Sequence, residues 1–242
     1  MYIPDDMAWA FSSGDYYEKN VIFFLDKIFA KYNKPVFYDA GANYGYYSLR
    51  YSSQSDRVFS FEPVRATNAI LRKNIEDNHA ENIRVFDIGL SDKSGTAEIN
   101  IYNSCGNNSI FERAVPSGHS LKKLGVESVR LSSLDDLILA ENLPDPDIIK
   151  IDVEGAELHV LKGALAAISR SLPTILFEYG ATTSSDAGYS REDLLNCIDT
   201  SQYNIYGIPD DVDDVRLVSH EKFDAVEVSN IIFFPKKKGQ IK

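Results

Sequence analysis

The 242-residue chain reads as an α/β domain with a seven-stranded, mostly parallel sheet and helices on both faces. Three observations predict this. Short apolar segments alternate with longer stretches of helical period. A glycine-rich turn directly follows the first apolar segment. Asp39, Glu62, Asp87, Asp152 and Glu178 each end a predicted strand, where open parallel sheets bind their ligands.

The elements follow in order. Residues 16–32 form a helix with Tyr17, Val21, Phe24, Leu25 and Ile28 on one face. A buried strand at 36–38 leads through the glycine turn into a helix ending at Tyr51. A second strand covers 58–61, and Pro63 then opens a helix running to about Asn78. The third strand is 83–87. The rhythm changes at 96–102 and 126–131, two strands of an inserted hairpin flanking a Gly-, Asn- and Ser-rich segment at 103–125. Loops of that length inside a domain are as a rule functional or disordered. Ser132 or Ser133 caps a helix over 134–140. A strand at 147–152, a helix at 155–169 and a strand at 174–178 continue the core. A helix at 191–199 and a final strand pair, 203–208 with 230–234, close the sheet. The organisation is one domain. It has a helical cap (1–34), a core (35–178) with an insertion near 95–131, and a part completing the sheet (179–242).

A net charge of −11 repels phosphate backbones, and no basic stripe offsets it, so nucleic acid is not the expected partner. Lys236, Lys237 and Lys238 read as a solvated tail. Cys105 and Cys197 lie far apart, which fits neither a disulfide framework nor a metal-ligand pattern. No signal peptide and no membrane-length apolar run is visible, so a cytoplasmic protein without a transmembrane segment is expected.

The turn reads Asp39-x-Gly41-x-Asn43-x-Gly45. Glycines there let the backbone turn sharply and approach a ligand. A dinucleotide fingerprint requires glycine where Asn43 stands, so a ligand without a pyrophosphate fits better. Glu62, 23 residues after Asp39, suits a ribose diol, with a plain helix-start acid as the alternative. Asp87 suits an adenine amino group, although a turn residue before Gly89 is equally natural.

These residues also carry a resemblance. Val36-Phe37-Tyr38-Asp39-Ala40-Gly41-Ala42-Asn43-Tyr44-Gly45, Phe61-Glu62-Pro63, Gly89-Leu90-Ser91-Asp92 and Lys150-Ile151-Asp152-Val153-Glu154-Gly155-Ala156-Glu157 resemble the FkbM family of methyltransferases. The similarity runs from about Gly14 to about Glu178. It implies a class I (Rossmann-like) methyltransferase fold, S-adenosylmethionine as donor, and O-methylation of a hydroxyl on a sugar, glycan precursor or secondary metabolite. It also implies that Tyr17 and Glu18 close over the cofactor from the N-terminal helix; Tyr44, Tyr46 and Tyr47, from their place beside the turn, are expected to supply stacking or hydroxyl contacts.

Methyl transfer to an alcohol gains from a base at the acceptor proton. Asp152 is the first candidate, with Glu154 and Glu178 nearby and Lys150 either binding substrate or neutralising the cluster. Asp152 contacting only the methionine moiety, Glu154 capping a helix and Glu178 pairing with Lys150 are the plain alternatives. Three carboxylates also admit a divalent metal, but the spacing demands none. Of the histidines, only His119, in the long loop, is within plausible reach of the cleft. N-methylation of a small molecule or protein, a nicotinamide oxidoreductase and a non-catalytic cofactor-binding scaffold are the competing readings.

Overall fold

In the computed structural model of the protein, the period-two alternation of buried side chains along the strands sorts them onto two faces of one sheet. The structure describes residues 2, 18–112, 121–209 and 216–241. The strands are β1 (Val36–Ala40), β2 (Arg57–Phe61), β3 (Ile83–Phe86), β4 (Gly89–Leu90), β5 (Gly95–Tyr102), β6 (Lys123–Ser132), β7 (Ile148–Ile151), β8 (Thr174–Glu178), β9 (Tyr203–Pro209), β10 (Val218–Ser219) and β11 (Val228–Pro235). The helices are α1 (Lys19–Phe29), α2 (Tyr46–Ser52), α3 (Arg65–Asp77), α4 (Leu134–Glu141), α5 (Glu157–Lys162), α6 (Leu165–Ser171), α7 (Ala181–Asp186) and α8 (Arg191–Leu195).

The main sheet has the order β10-β9-β11-β8-β7-β1-β2-β3. Strands β3, β2, β1, β7 and β8 are parallel, and β11, β9 and β10 run antiparallel. Phe37, Val58, Ile148, Leu176 and Ile232 pack on one face against Leu25 and Ile28 of α1 and Tyr51 of α2. Tyr38, Phe59, Ile149, Phe177 and Phe233 pack on the other against Leu134, Leu161, Ile168 and Leu194 of α4, α5, α6 and α8. Successive residues of one strand therefore serve opposite cores, which is why these strands read as continuous apolar runs.

The chain leaves β1 toward β2 and β3 on one side and returns through β7 and β8 on the other, so β1 and β7 flank the topological switch point. Asp152 N donates to the Ala40 carbonyl at 2.9 Å, keeping the two strands together to their ends.

The sheet has eight strands rather than the expected seven, because two-residue β10 is too short to carry a periodic signal. The expected helix over 155–169 is two helices, α5 and α6. At the break, a Cβ on Gly163 would lie 1.9 Å from the Ser91 carbonyl oxygen. The first helix begins at Lys19; Tyr16 and Tyr17 lie outside the described residues. The inserted hairpin exists as β5 and β6, but β6 begins at Lys123 and pairs with β4, making a separate three-stranded sheet. Among the described residues no helix is long and apolar enough to cross a membrane.

Phe177 is fully buried and meets Phe233 edge-on at 5.2 Å. Phe177→Ala is expected to cost about 3–5 kcal/mol in urea unfolding; a loss below about 1 kcal/mol would contradict this packing.

Candidate active site

The carboxyl ends of β1, β2 and β7 open onto a cleft of about 1170 Å³, its mouth included. Its floor is the glycine turn. Gly41 and Gly45 have φ of 79° and 91°, and Asn43, at φ 49°, occupies the left-handed region that asparagine tolerates best after glycine. Gly41 and Ala42 donate their N–H groups to the Phe61 carbonyl at 3.0 Å, fastening the turn to β2. A Cβ on Gly41 would sit 1.7 Å from the Asp152 carbonyl oxygen, so the turns after β1 and β7 touch only because residue 41 has no side chain.

Glu62 is buried in the cleft wall and accepts the N–H groups of Asn43 (3.1 Å) and Val64 (2.9 Å). Burial outweighs these bonds and pushes its carboxyl up to about 7. Past Glu62 the cleft turns apolar between Val64 and Leu90 of the core and Ile99, Val129 and Leu131 of the inserted hairpin.

At the other end lies a charged group. Lys150 of β7 is buried, bonds Asp152 at 2.8 Å and stands 4.2 Å above the Tyr47 ring. Burial alone would lower its basicity, but Asp152, Glu18 and Asp39 outweigh it and hold the ammonium above its ordinary value. Tyr47 donates its hydroxyl to Glu18 at the start of α1. Oxygens of Asp152, Glu154 and Glu178 all lie within 4.8 Å of one another. Such spacing is compatible with an oxygen-ligated cation, though crowded carboxylates also occur without one. Burial first, then repulsion from Asp152, Glu154 and Glu18, drives the Glu178 carboxyl well above its usual range.

Of the residues singled out from sequence, Gly41, Asn43, Tyr44, Glu62, Asp152 and Glu154 line the cleft. Gly45 starts α2 behind it, with a Cβ position 2.6 Å from Leu71. Asp39 lies beneath the turn, accepting the Ser48 hydroxyl at 2.5 Å, and is not part of the lining. Lys150, Glu178 and Glu18 gather behind Asp152. Glu178 does not pair with Lys150, whose partner is Asp152. Asp87 stands apart: it is exposed, bridged to Arg130 at 2.7 Å, and absent from the cleft lining. It follows β3 and pairs with an arginine of the hairpin, so the structure does not bring it into the cleft with the other candidates. His119 lies outside the described residues.

Sequence reasoning missed the wall made by the insertion. Ile99, Val129 and Leu131 alternate with polar neighbours, a signal that identified strands but not what their apolar face would meet.

A sequence profile of the methyltransferase FkbM domain matches residues 39–221. The chain belongs to the FkbM methyltransferase family. It is 32% identical over 158 residues to Methyltransferase sdnD of Sordaria araneosa, covering 54% of this chain and 61% of that one. It is 30% identical to the Hexuronic acid methyltransferase AglP of Haloferax volcanii, over 55% and 51% of the two chains. A third relative, the 2-O-methyltransferase NoeI of Sinorhizobium fredii, is 26% identical over 57% and 60%. The matched stretch thus spans only about half to three-fifths of these relatives. A crystal structure of Methyltransferase FkbM from Methylobacillus flagellatus superposes with a TM-score of 0.52 at 21% identity, covering 84% of this chain and 44% of that one, which establishes a shared fold.

Because the raised carboxyl of Glu62 binds its proton more tightly in the folded chain, its stabilising effect is complete below the unfolded value. That effect disappears as pH rises through about 7. The melting temperature should therefore fall between about pH 5 and pH 7, and Glu62→Gln should flatten that slope; an equal slope in both proteins would refute the assignment.

Proposed function

We propose that the chain is an S-adenosylmethionine-dependent methyltransferase acting on a hydroxyl of a sugar, glycan precursor or secondary metabolite. The observation that carries this reading is one cleft that joins the glycine turn, the buried Glu62 and the Asp152–Glu154 turn. The donor set fits such a cofactor. After Asn43 and Val64 have donated, Glu62 keeps lone pairs for two vicinal ribose hydroxyls. The apolar slot beyond it suits a flat base, and the carboxylates around Asp152 suit a cationic centre. When bound, the cofactor supplies an electrophilic methyl group.

The residues of the chain then orient the acceptor and take its proton. Were the methyl group to pass from sulfur to the acceptor oxygen, with S-adenosylhomocysteine leaving as the thioether, the oxygen's proton would have to pass to a base. Asp152 is already held by Lys150, which favours orienting work. Glu178 is not itself in the cleft lining, but its carboxylate lies within 4.8 Å of those of Asp152 and Glu154, which are, and it has no ion-pair partner among the described residues, so it is the better base. Glu154 borders the same space and contacts the acceptor. An acceptor that is a hydroxylated small molecule or glycan accords with the relatives AglP, a hexuronic acid methyltransferase, and NoeI, a 2-O-methyltransferase.

Calorimetry with S-adenosylhomocysteine tests the donor half. Glu62→Ala is expected to weaken binding by about 10-fold or more, while Asp87→Ala leaves it unchanged. Affinity should also fall as pH drops through about 7, where Glu62 gains its proton. Labelled methyl transfer to a panel of sugars and amines tests the acceptor half. Glu178→Gln should lower kcat by about 10²–10⁴-fold at unchanged S-adenosylhomocysteine affinity; transfer to amines alone would reverse the O-methylation reading.

A further inference from the structure

Glu157 lies outside the cleft lining, yet its buried carboxylate is filled with donors. It accepts the N–H of Val153 at 3.2 Å, the N–H of Gly155 at 3.2 and 3.1 Å on its two oxygens, and the Tyr189 hydroxyl at 2.6 Å. No cation pairs with it among the described residues. Burial raises its carboxyl, and the Tyr189 bond and the backbone donors pull it partly back. An acid at the start of α5 serving only the helix would need no partners outside it. Here two donors belong to the preceding turn and the third to a residue 32 positions away.

That turn is strained. Glu154 and Gly155 are consecutive left-handed residues, with φ of 55° and 103°. A non-glycine residue in that region costs on the order of 1 kcal/mol or more and persists only where its surroundings hold it. The turn carries Asp152, Val153 and Glu154 into the cleft wall and presses the Asp152 carbonyl against Gly41. From the opposite side, Ser109 of the insertion donates its hydroxyl to the Glu154 carbonyl at 2.6 Å. Ser109 is itself fixed by backbone bonds to Asn100 at 2.8 and 3.2 Å.

We propose that Glu157 is a positioning residue: its carboxylate, buttressed by Tyr189, sets the shape of the 152–155 turn against which the cofactor and acceptor are aligned. The inference rests on the methyltransferase reading of the cleft. It concerns an interaction at one remove, where misplacement of the reacting groups by about 1 Å is enough to cost 10²-fold in rate.

The test uses Glu157→Gln, which keeps size but replaces one of the two accepting oxygens with a donor NH2. At a temperature where circular dichroism shows the variant folded, S-adenosylhomocysteine should bind about 10-fold more weakly. The amides of Val153 and Gly155 should exchange with solvent at least about 10-fold faster, with those of β7 and β8 unchanged. Tyr189→Phe removes one donor and leaves the carboxylate, so about 3-fold weaker binding is expected at nearly unchanged melting temperature. A folded Glu157→Gln protein that melts lower but keeps native affinity and native exchange at both amides overturns the proposal. If Glu157→Gln does not fold, Tyr189→Phe decides: unchanged affinity and exchange overturn it, and weaker binding with local exchange supports it. Should the wild-type chain not bind S-adenosylhomocysteine at all, the methyltransferase reading fails, and the exchange measurement still decides whether Glu157 holds the turn.

Discussion

The site is organised by one steric contact: the Asp152 carbonyl rests where a side chain on residue 41 would be. Two loops from adjacent parallel strands cannot ordinarily approach so closely, because Cβ atoms keep backbones apart. With glycine at 41, the turns after β1 and β7 share one wall, and the Asp152 N–H bond to Ala40 holds the strands in register up to it. The ends of the cleft follow from that contact. Glu62 reaches the first turn from β2, and Lys150 lies beneath the second.

Lys150 supplies the matching electrostatic constraint. A buried ammonium is tolerated only when paired. Here Asp152 bonds it, Glu18 and Asp39 surround it, and the Tyr47 ring lies beneath it. A single cation thus compensates carboxylates drawn from three separate parts of the chain. Glu154 and Glu178 remain beyond its direct reach, which leaves Glu178 with the perturbed basicity that proton-transfer chemistry uses.

Much of this was legible in the sequence where residue type and backbone need coincide. Gly41 and Gly45 adopt positive φ, as the turn reading required, Asn43 joins them there, and the alternating elements fell in the expected order. Glu62 and Asp152 were legible because they end strands, and strand ends share one side of a parallel sheet. Asp87 also ends a strand, yet it pairs with Arg130 of the insertion and does not line the cleft. The split at Gly163 escaped because it answers to the Ser91 carbonyl, more than seventy positions away, rather than to local helix propensity. The roles of Glu157 and Ser109 depend on partners distant in sequence, Tyr189 and Glu154, which no local pattern announces.

The raised carboxyls of Glu62, Asp39, Glu157 and Glu178 have a thermodynamic consequence for the molecule as a whole. Burying these carboxyls carries a desolvation cost that a sequence selected for durability alone would have avoided with apolar side chains. Any occupant that donates hydrogen bonds to Glu62 in the cleft wall offsets part of that cost only in the folded state. Folding and loading are therefore linked equilibria, and resistance to unfolding is set partly by how much ligand surrounds the chain.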